Sequence, residues 1–410
     1  MNESVICSLT GKALSEKNTK IAILPNGAKI PIHKDYLDIF QKSYFITKQS
    51  LEDDQSDDST IPEEITIQNP REIYNTLCER VIGQEIAKKK VSVAVHRHYI
   101  SLKSNDPDKE WRKSNLLFIG DTGCGKTHIA RTIAKMIQVP FVIGDCTQIT
   151  EAGYVGDDAE VVLSTLLSVA GSVKNAERGI IMLDEIDKIA KKSGGNPSIT
   201  RDVGGEGVQT SLLKMVEGTI AHVQNISDGK RKNPQAKTIP LDTENILFIA
   251  AGVFPGIEDV IAKRLNVGGK IGFRGEAQID QEKLRENLLS QINAQDIIDY
   301  GFISEFVGRF PVIIPFEKLT KEHMIQILTS IKGSLYEQSK WIFSQNGINL
   351  QISETSLDVI ADAAVEDSRG ARALQSILES ILMEVYFDKA GQFDGDLLIP
   401  DSLVVKKTSK

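Results

Sequence analysis

No stretch of this chain approaches the roughly 18 consecutive apolar residues of a membrane span, and Met1 to Thr10 shows no basic segment followed by an apolar core. A cytoplasmic protein with no membrane partner is expected. Cysteine is scarce: Cys7, Cys78, Cys124 and Cys146 are scattered without the spacing of a disulfide framework or a metal site. Reduced thiols are therefore expected. Positive charge is also in deficit, since 48 Lys and Arg against 56 Asp and Glu leave a formal net charge of -8. Bulk electrostatics thus argues against nucleic acid as a partner. Internal repeats and sustained heptads are missing, which excludes solenoids and coiled coils. What is left is ordinary globular composition, 41% apolar and 25% charged over 410 residues, enough for two or three domains.

The most informative residues present are Gly120, Asp121, Thr122, Gly123, Cys124, Gly125, Lys126 and Thr127, which fit the P-loop pattern GxxxxGK[ST] and follow the apolar run Leu116 to Ile119. Glycines let successive backbone N–H groups turn onto phosphate oxygens, Lys126 neutralises the β- and γ-phosphates, and the Thr127 hydroxyl can ligate Mg²⁺. ATP and Mg²⁺ are the implied cofactors, and His128, next in sequence, joins the nucleotide-site candidates. The helix after the loop, about 127–137, adds its positive N-terminal end. Cys124 lies near that end, where a thiolate is favoured, although a small residue that simply fits the loop is the simpler reading. Downstream, Ile180 to Leu183 form a buried-type run that ends in Asp184 and Glu185. Ligands of parallel sheets sit at that end of the strands. Asp184 is placed to hold the Mg²⁺ shell and Glu185 to polarise a water for attack on the γ-phosphate.

Strand-like runs at 116–119, 141–145, 179–183 and 245–251 alternate with helical ones, which predicts an α/β fold with a parallel sheet and crossover helices. Residues 1–50 read as a small module with strands at 20–24 and 28–32, broken by Pro25-Asn26-Gly27. An acidic linker occupies 51–60. A large ATPase domain is expected over 61–312, followed over 313–410 by a helical lid with helical patterns at 321–345 and 356–387. Glycine-bearing loops at 151–158, 192–207, 225–237 and 268–275 carry few core residues, and loops of that length are more often functional than accidental.

Taken together these segments closely resemble the ClpX family, AAA+ unfoldases that feed the ClpP peptidase, over about Val81 to Leu398. The resemblance implies a P-loop AAA+ core, a mainly helical lid, a homohexameric ring, a ClpP-type peptidase partner, and unfolded or tagged proteins as substrates. It places Val81 and Ile82 around adenine and makes Arg309 an arginine finger for the neighbouring subunit's nucleotide. Arg372, in Gly370-Ala371-Arg372, resembles the sensor-2 arginine. Tyr154 and Val155, in Gly-Tyr-Val-Gly, resemble the pore loop that grips substrate, and Arg201 lies in a second pore loop. Arg231 and Lys232 resemble a third pore loop, with Asn233 in place of the family's histidine. Ile271, Gly272 and Phe273 match the tripeptide that docks into the peptidase.

Two features depart from the pattern. Strand 246–251 ends in Ala250-Ala251-Gly252, with no Asn or Thr in the usual AAA+ sensor-1 place. In the first module the family's two Cys-x-x-Cys pairs are reduced to Cys7 and His33, too few to close a zinc site, so no structural zinc is expected. Two rivals remain. An HslU-like unfoldase carries a long insertion between the ATPase motifs that is missing here. A nucleic-acid-remodelling AAA+ protein is disfavoured by the Gly-Tyr-Val-Gly loop and the acidic charge.

Overall fold

The computed structural model describes residues 19–23, 29–33, 67–103, 113–149, 159–191, 205–224, 238–266, 284–285, 287–331, 333–367 and 369–408. The chain divides into two compact units, 1–62 and 63–410. In the first, β1 (Thr19–Ile23) and β2 (Lys29–His33) form an antiparallel pair with Ile21 opposite Pro31. The pair stands where the sequence predicts two strands broken by a turn, with each strand displaced by one residue.

The second unit opens with α1 (Pro70–Arg80) and α2 (Glu85–Leu102). Asn69 and Glu72 close a reciprocal capping box at the start of α1, with Pro70 in the first helical position, where its missing N–H costs nothing. Then follow β3 (Leu116–Ile119), α3 (Lys126–Ile137), β4 (Phe141–Asp145), α4 (Glu160–Ala170), β5 (Ile180–Asp184), α5 (Glu206–Glu217), β6 (Ile220–Gln224), β7 (Thr238–Asp242), β8 (Leu247–Gly252), α6 (Ile257–Arg264) and β9 (Val312–Pro315). Five strands form one parallel sheet in the order β4-β5-β8-β3-β9. β6 and β7 make a separate antiparallel ribbon.

Central strands of this sheet are apolar up to their C-terminal residues because both faces are covered. Alternation then divides their side chains between two cores. Leu116, Phe118, Ile180, Met182, Leu247 and Ile249 pack under α1, α2 and α3, while Leu117, Ile119, Ile181, Leu183 and Phe248 pack against α4 and α5 on the other face. Each such side chain taken fully from water contributes about 1.5–3 kcal/mol. That rigidity fixes the strand ends on which the site is built.

The sheet runs on to Pro315, past the boundary at 312 expected from sequence: Val312 pairs with Leu116 and Pro315 with Ile119. Pro311 and Pro315 disguise this strand, and an edge position is where a sheet tolerates proline. Beyond it lie α7 (Lys321–Thr329), α8 (Leu335–Ser344), β10 (Ile348–Gln351), α9 (Glu354–Glu366), α10 (Ala371–Lys389), β11 (Gly395–Leu398) and α11 (Asp401–Thr408). Met324, Leu328, Phe343, Ile360, Leu374 and Ile381 belong to a third core. Each long helical pattern read from sequence is two helices. Ser334 caps α8 through its side chain after Gly333 at φ 74, and Gly370 at φ 58 separates α9 from α10. No helix among the described residues is long and apolar enough to cross a membrane.

Candidate functional site

The P-loop leaves the C-terminal end of β3 and turns into α3. Gly123 and Gly125 adopt φ 76 and 103, a region other residues rarely enter. Their surroundings differ. A Cβ at Gly125 would meet nothing within 4 Å, whereas one at Gly123 would stand 2.1 Å from the Arg369 carbonyl oxygen. Gly125 therefore borders open space at the N-terminus of α3, the place where a phosphate is favoured. Lys126 is buried, and its Nζ donates to the Gly120 and Asp121 carbonyls at 2.6 and 2.8 Å, which fixes the amine at the loop's mouth.

A cleft of about 730 Å³ opens there, lined among others by Lys126, Thr127, His128, Asp184, Glu185 and Arg372. The sheet order explains the meeting: β8 is the only strand between β3 and β5, so P-loop and carboxylates face each other across about 10 Å. Glu185 occupies a left-handed conformation, φ 54, and its N–H donates to Asp184 Oδ1 at 3.0 Å. For a residue with a side chain that backbone is costly, and such strain gathers at functional sites. Thr127 and Asp184 offer hard oxygen donors on facing walls, a set suited to Mg²⁺.

The absence of a side chain at Gly252, the last residue of β8, has a steric reason. Asp187 is buried, and its Oδ1 accepts the Val253 N–H at 3.1 Å. A Cβ on Gly252 would lie 2.5 Å from that oxygen and 2.8 Å from the Phe254 ring. The strand end is thus packed by Asp187, and an Asn or Thr has no room at Gly252.

The lid closes the cleft from the other side. A Cβ on Gly370 would meet the Thr122 carbonyl oxygen at 2.8 Å, and the Ala371 N–H lies 3.4 Å from the Gly123 carbonyl. Backbone thus rests on backbone, which delivers Arg372 on the first turn of α10. Beside this contact lies a second cleft of about 330 Å³, between Asp121 to Cys124 and the lid residues Leu319, Met324 and Val365.

Other candidates fall elsewhere. Val81 is buried in the core under α1 to α3, and neither it nor Ile82 lines the large cleft. Their segment borders it through His128, whose Nε2 is 3.0 Å from the Arg80 carbonyl oxygen. Arg309 lies at the opposite end of the sheet, just before β9, with Nε and Nη2 on Glu217 Oε1 at 3.1 and 2.6 Å. Tyr154, Val155, Arg201, Arg231, Lys232, Ile271, Gly272, Phe273 and Cys7 lie outside the described residues, and so does the side chain of His33. Sequence reasoning missed Arg131, Asp187, Lys188 and Gln375, all on the cleft wall. Helical spacing offered a signal for two of them, since Arg131 follows Thr127, and Gln375 follows Ala371, by one turn.

A family model described as AAA domain (Cdc48 subfamily) matches residues 112–313, and one for the C-terminal, D2-small domain of ClpB protein matches 319–390. The chain is 45% identical over 348 residues to the ATP-dependent Clp protease ATP-binding subunit ClpX of Porphyromonas gingivalis, covering 83% of each protein. It is 47% identical over 324 residues to the protein of that name from Bacteroides thetaiotaomicron, covering 78% of this chain and 77% of the other. The Bacteroides fragilis counterpart is also 47% identical over 324 residues, with 78% and 76% covered. The chain belongs to the ClpX family. It is an ATP-hydrolysing AAA+ unfoldase of the Clp type that uses nucleotide and Mg²⁺, and both rivals fall away.

Cys124 departs from the reactive reading. It is 4% exposed, and burial raises its thiol pKa more than nearby Lys126 lowers it. At pH 8 its alkylation is expected to run at least about tenfold slower than that of the half-buried Cys78. Peptide mass mapping of iodoacetamide-treated protein measures this; equal rates would contradict the burial.

Proposed function

We propose that this protein works as a hexameric ring that pulls polypeptides through a central pore and delivers them to a ClpP-type peptidase. One observation carries the reading: Lys126, Thr127, Asp184, Glu185 and Arg372 share one cleft, while Arg309 stands at the far end of the same sheet. Thr127 and Asp184 would hold Mg²⁺, which neutralises phosphate charge when bound. Lys126 and the loop amides bind the triphosphate. Glu185 orients the attacking water, and Arg372 reports on the nucleotide from the lid. Val81 and Ile82 flank the base from the segment tied to His128.

Arg309 cannot serve its own cleft. Val312, just after it, pairs with the first residue of β3, whereas the P-loop follows the last. Its pair with Glu217 is half exposed, which limits its worth to about 0–1 kcal/mol. A phosphate on a neighbouring subunit can outbid that, since a guanidinium forms bidentate charge-assisted bonds. A ring of subunits supplies the geometry.

Tyr154 and Val155 grip the chain by apolar packing, aided by Arg201, and Arg231 with Lys232 attracts acidic peptide ends at the entrance. Ile271, Gly272 and Phe273 dock the peptidase, since two bulky apolar residues flanking a glycine match the family's docking tripeptide. In the cytoplasm residues 1–50 and 51–60 serve as module and linker, 61 to the end of β9 as motor, and the helical remainder to 410 as lid. The first module holds no structural zinc, because Cys7 and His33 fall short of the ligands required. Elemental analysis of the purified protein is expected to find no stoichiometric zinc; one ion per chain overturns this.

Unfolding of a tagged fluorescent protein, followed beside ATP hydrolysis, tests the motor. Glu185→Gln is expected to keep ATP binding while hydrolysis slows at least about 100-fold. Tyr154→Ala is expected to keep hydrolysing but to lose unfolding. Preserved unfolding in Tyr154→Ala would show that the chain is gripped by something else.

A further inference from the structure

Gln84 is a polar side chain in a place that favours glycine. It follows Gly83, and both are left-handed, at φ 64 and 60. Its carbonyl accepts the Lys88 N–H at 2.8 Å, the first turn of α2, but its side chain caps nothing in that helix. Only 2% of the residue is exposed, and burial of an amide is costly unless its bonds are made.

They are made to the two elements that the motor must connect. Gln84 Nε2 donates to the Glu317 carbonyl at 2.7 Å and to the Cys124 carbonyl, in the P-loop, at 3.2 Å. Gln84 Oε1 accepts the Glu317 N–H at 2.9 Å. The amide orientation is fixed by these partners, because a flipped group would set its oxygen against two carbonyls. A side-chain amide that serves both N–H and C=O of one residue does what a neighbouring strand does. The ladder confirms the continuity: β9 pairs with β3 as far as Pro315, and the Phe316 N–H still donates to the Ile119 carbonyl at 2.7 Å. Glu317 is the next residue, held by Gln84 in place of a strand.

The lid begins directly after. Thr320 caps α7, and His323, in the first turn of that helix, completes the capping box through its ring. The same ring covers Gly83, where a Cβ would lie 3.1 Å from it. Between the last residue clasped to the ATPase core and the cap of the first lid helix stand only Lys318 and Leu319.

We propose that Gln84 is the positioning residue that sets the pivot of the lid: it ends the rigid core at Glu317, confines rotation to Lys318 and Leu319, and ties that pivot to the P-loop. The inference rests on the reading above, in which Arg372 reports on the nucleotide from the lid, and adds that nucleotide changes move the lid against the core. A short hinge anchored at the phosphate loop converts a small loop displacement into lid rotation. A loose one lets Phe316 and Glu317 absorb it.

The test uses the full-length ring. Gln84→Leu keeps the bulk and removes all three bonds; the ATP consumed per molecule of tagged fluorescent protein unfolded is expected to rise at least about fivefold. Loss of folded protein lowers hydrolysis and unfolding together and leaves that ratio unmoved, so an unchanged ratio overturns the proposal. Should the variant not fold, hydrogen exchange on rings that keep Gln84 decides. The Glu317 amide is expected to stay protected without nucleotide, with ADP, and with ATP in the Glu185→Gln background, while exchange at Leu319 changes between these states. Exchange at Glu317 that moves in step with Leu319 overturns the pivot. If the unmutated ring unfolds nothing, the motor reading fails, and the exchange data still judge the clasp.

Discussion

The contact of P-loop backbone with lid backbone governs the rest of this molecule. At Gly123 the Arg369 carbonyl comes so close that a Cβ would stand 2.1 Å from it, and Gly370 meets Thr122 in the same way. No side chain can be inserted on either side of that contact. The lid therefore reads the position of the phosphate loop through main chain, which does not change rotamer. Arg372 enters the cleft only because this contact fixes the start of α10.

Strand polarity supplies the second constraint. All five strands of the sheet are parallel, so the loops that follow them collect at one edge and those that precede them at the other. The P-loop, Asp184 and Glu185 share the first edge. Arg309 is on the second, its backbone carbonyl held by Asn115 Nδ2 at 2.9 Å and its guanidinium by Glu217. Asn115 also accepts the Phe248 N–H, which ties the backbone at Arg309 to β8. On the proposed reading, a charge whose backbone is held away from its own cleft makes sense when a neighbour presents the substrate.

Legibility in the sequence followed how local each rule is. The P-loop and the run Ile180 to Asp184 obey backbone and burial rules contained within a few residues, so both stand where expected. β9 was hidden by its flanking prolines, and the splits after Thr329 and Glu366 by turn residues inside apolar patterns. Gln84 and Asp187 escaped altogether. Their partners, Glu317 and Val253, are remote in sequence, and no periodicity announces a side-chain amide standing in for a strand or a carboxylate filling the place of a polar side chain. Val81 and Ile82 show the opposite limit. A motif resemblance places them beside the base, whereas the burial of Val81 under α1 to α3 is packing that the motif does not describe.

Action across subunits is the central claim, and complementation between two inactive proteins tests it most directly. Lys126→Ala removes nucleotide binding but keeps Arg309, whereas Arg309→Ala keeps the cleft but presents no finger. Rings assembled from a mixture of the two are predicted to recover ATP hydrolysis, to about a quarter of the unmutated rate at equal mixing, because some intact clefts then border an intact finger. Mixed rings, verified by mass, that hydrolyse no faster than either variant alone would contradict the account.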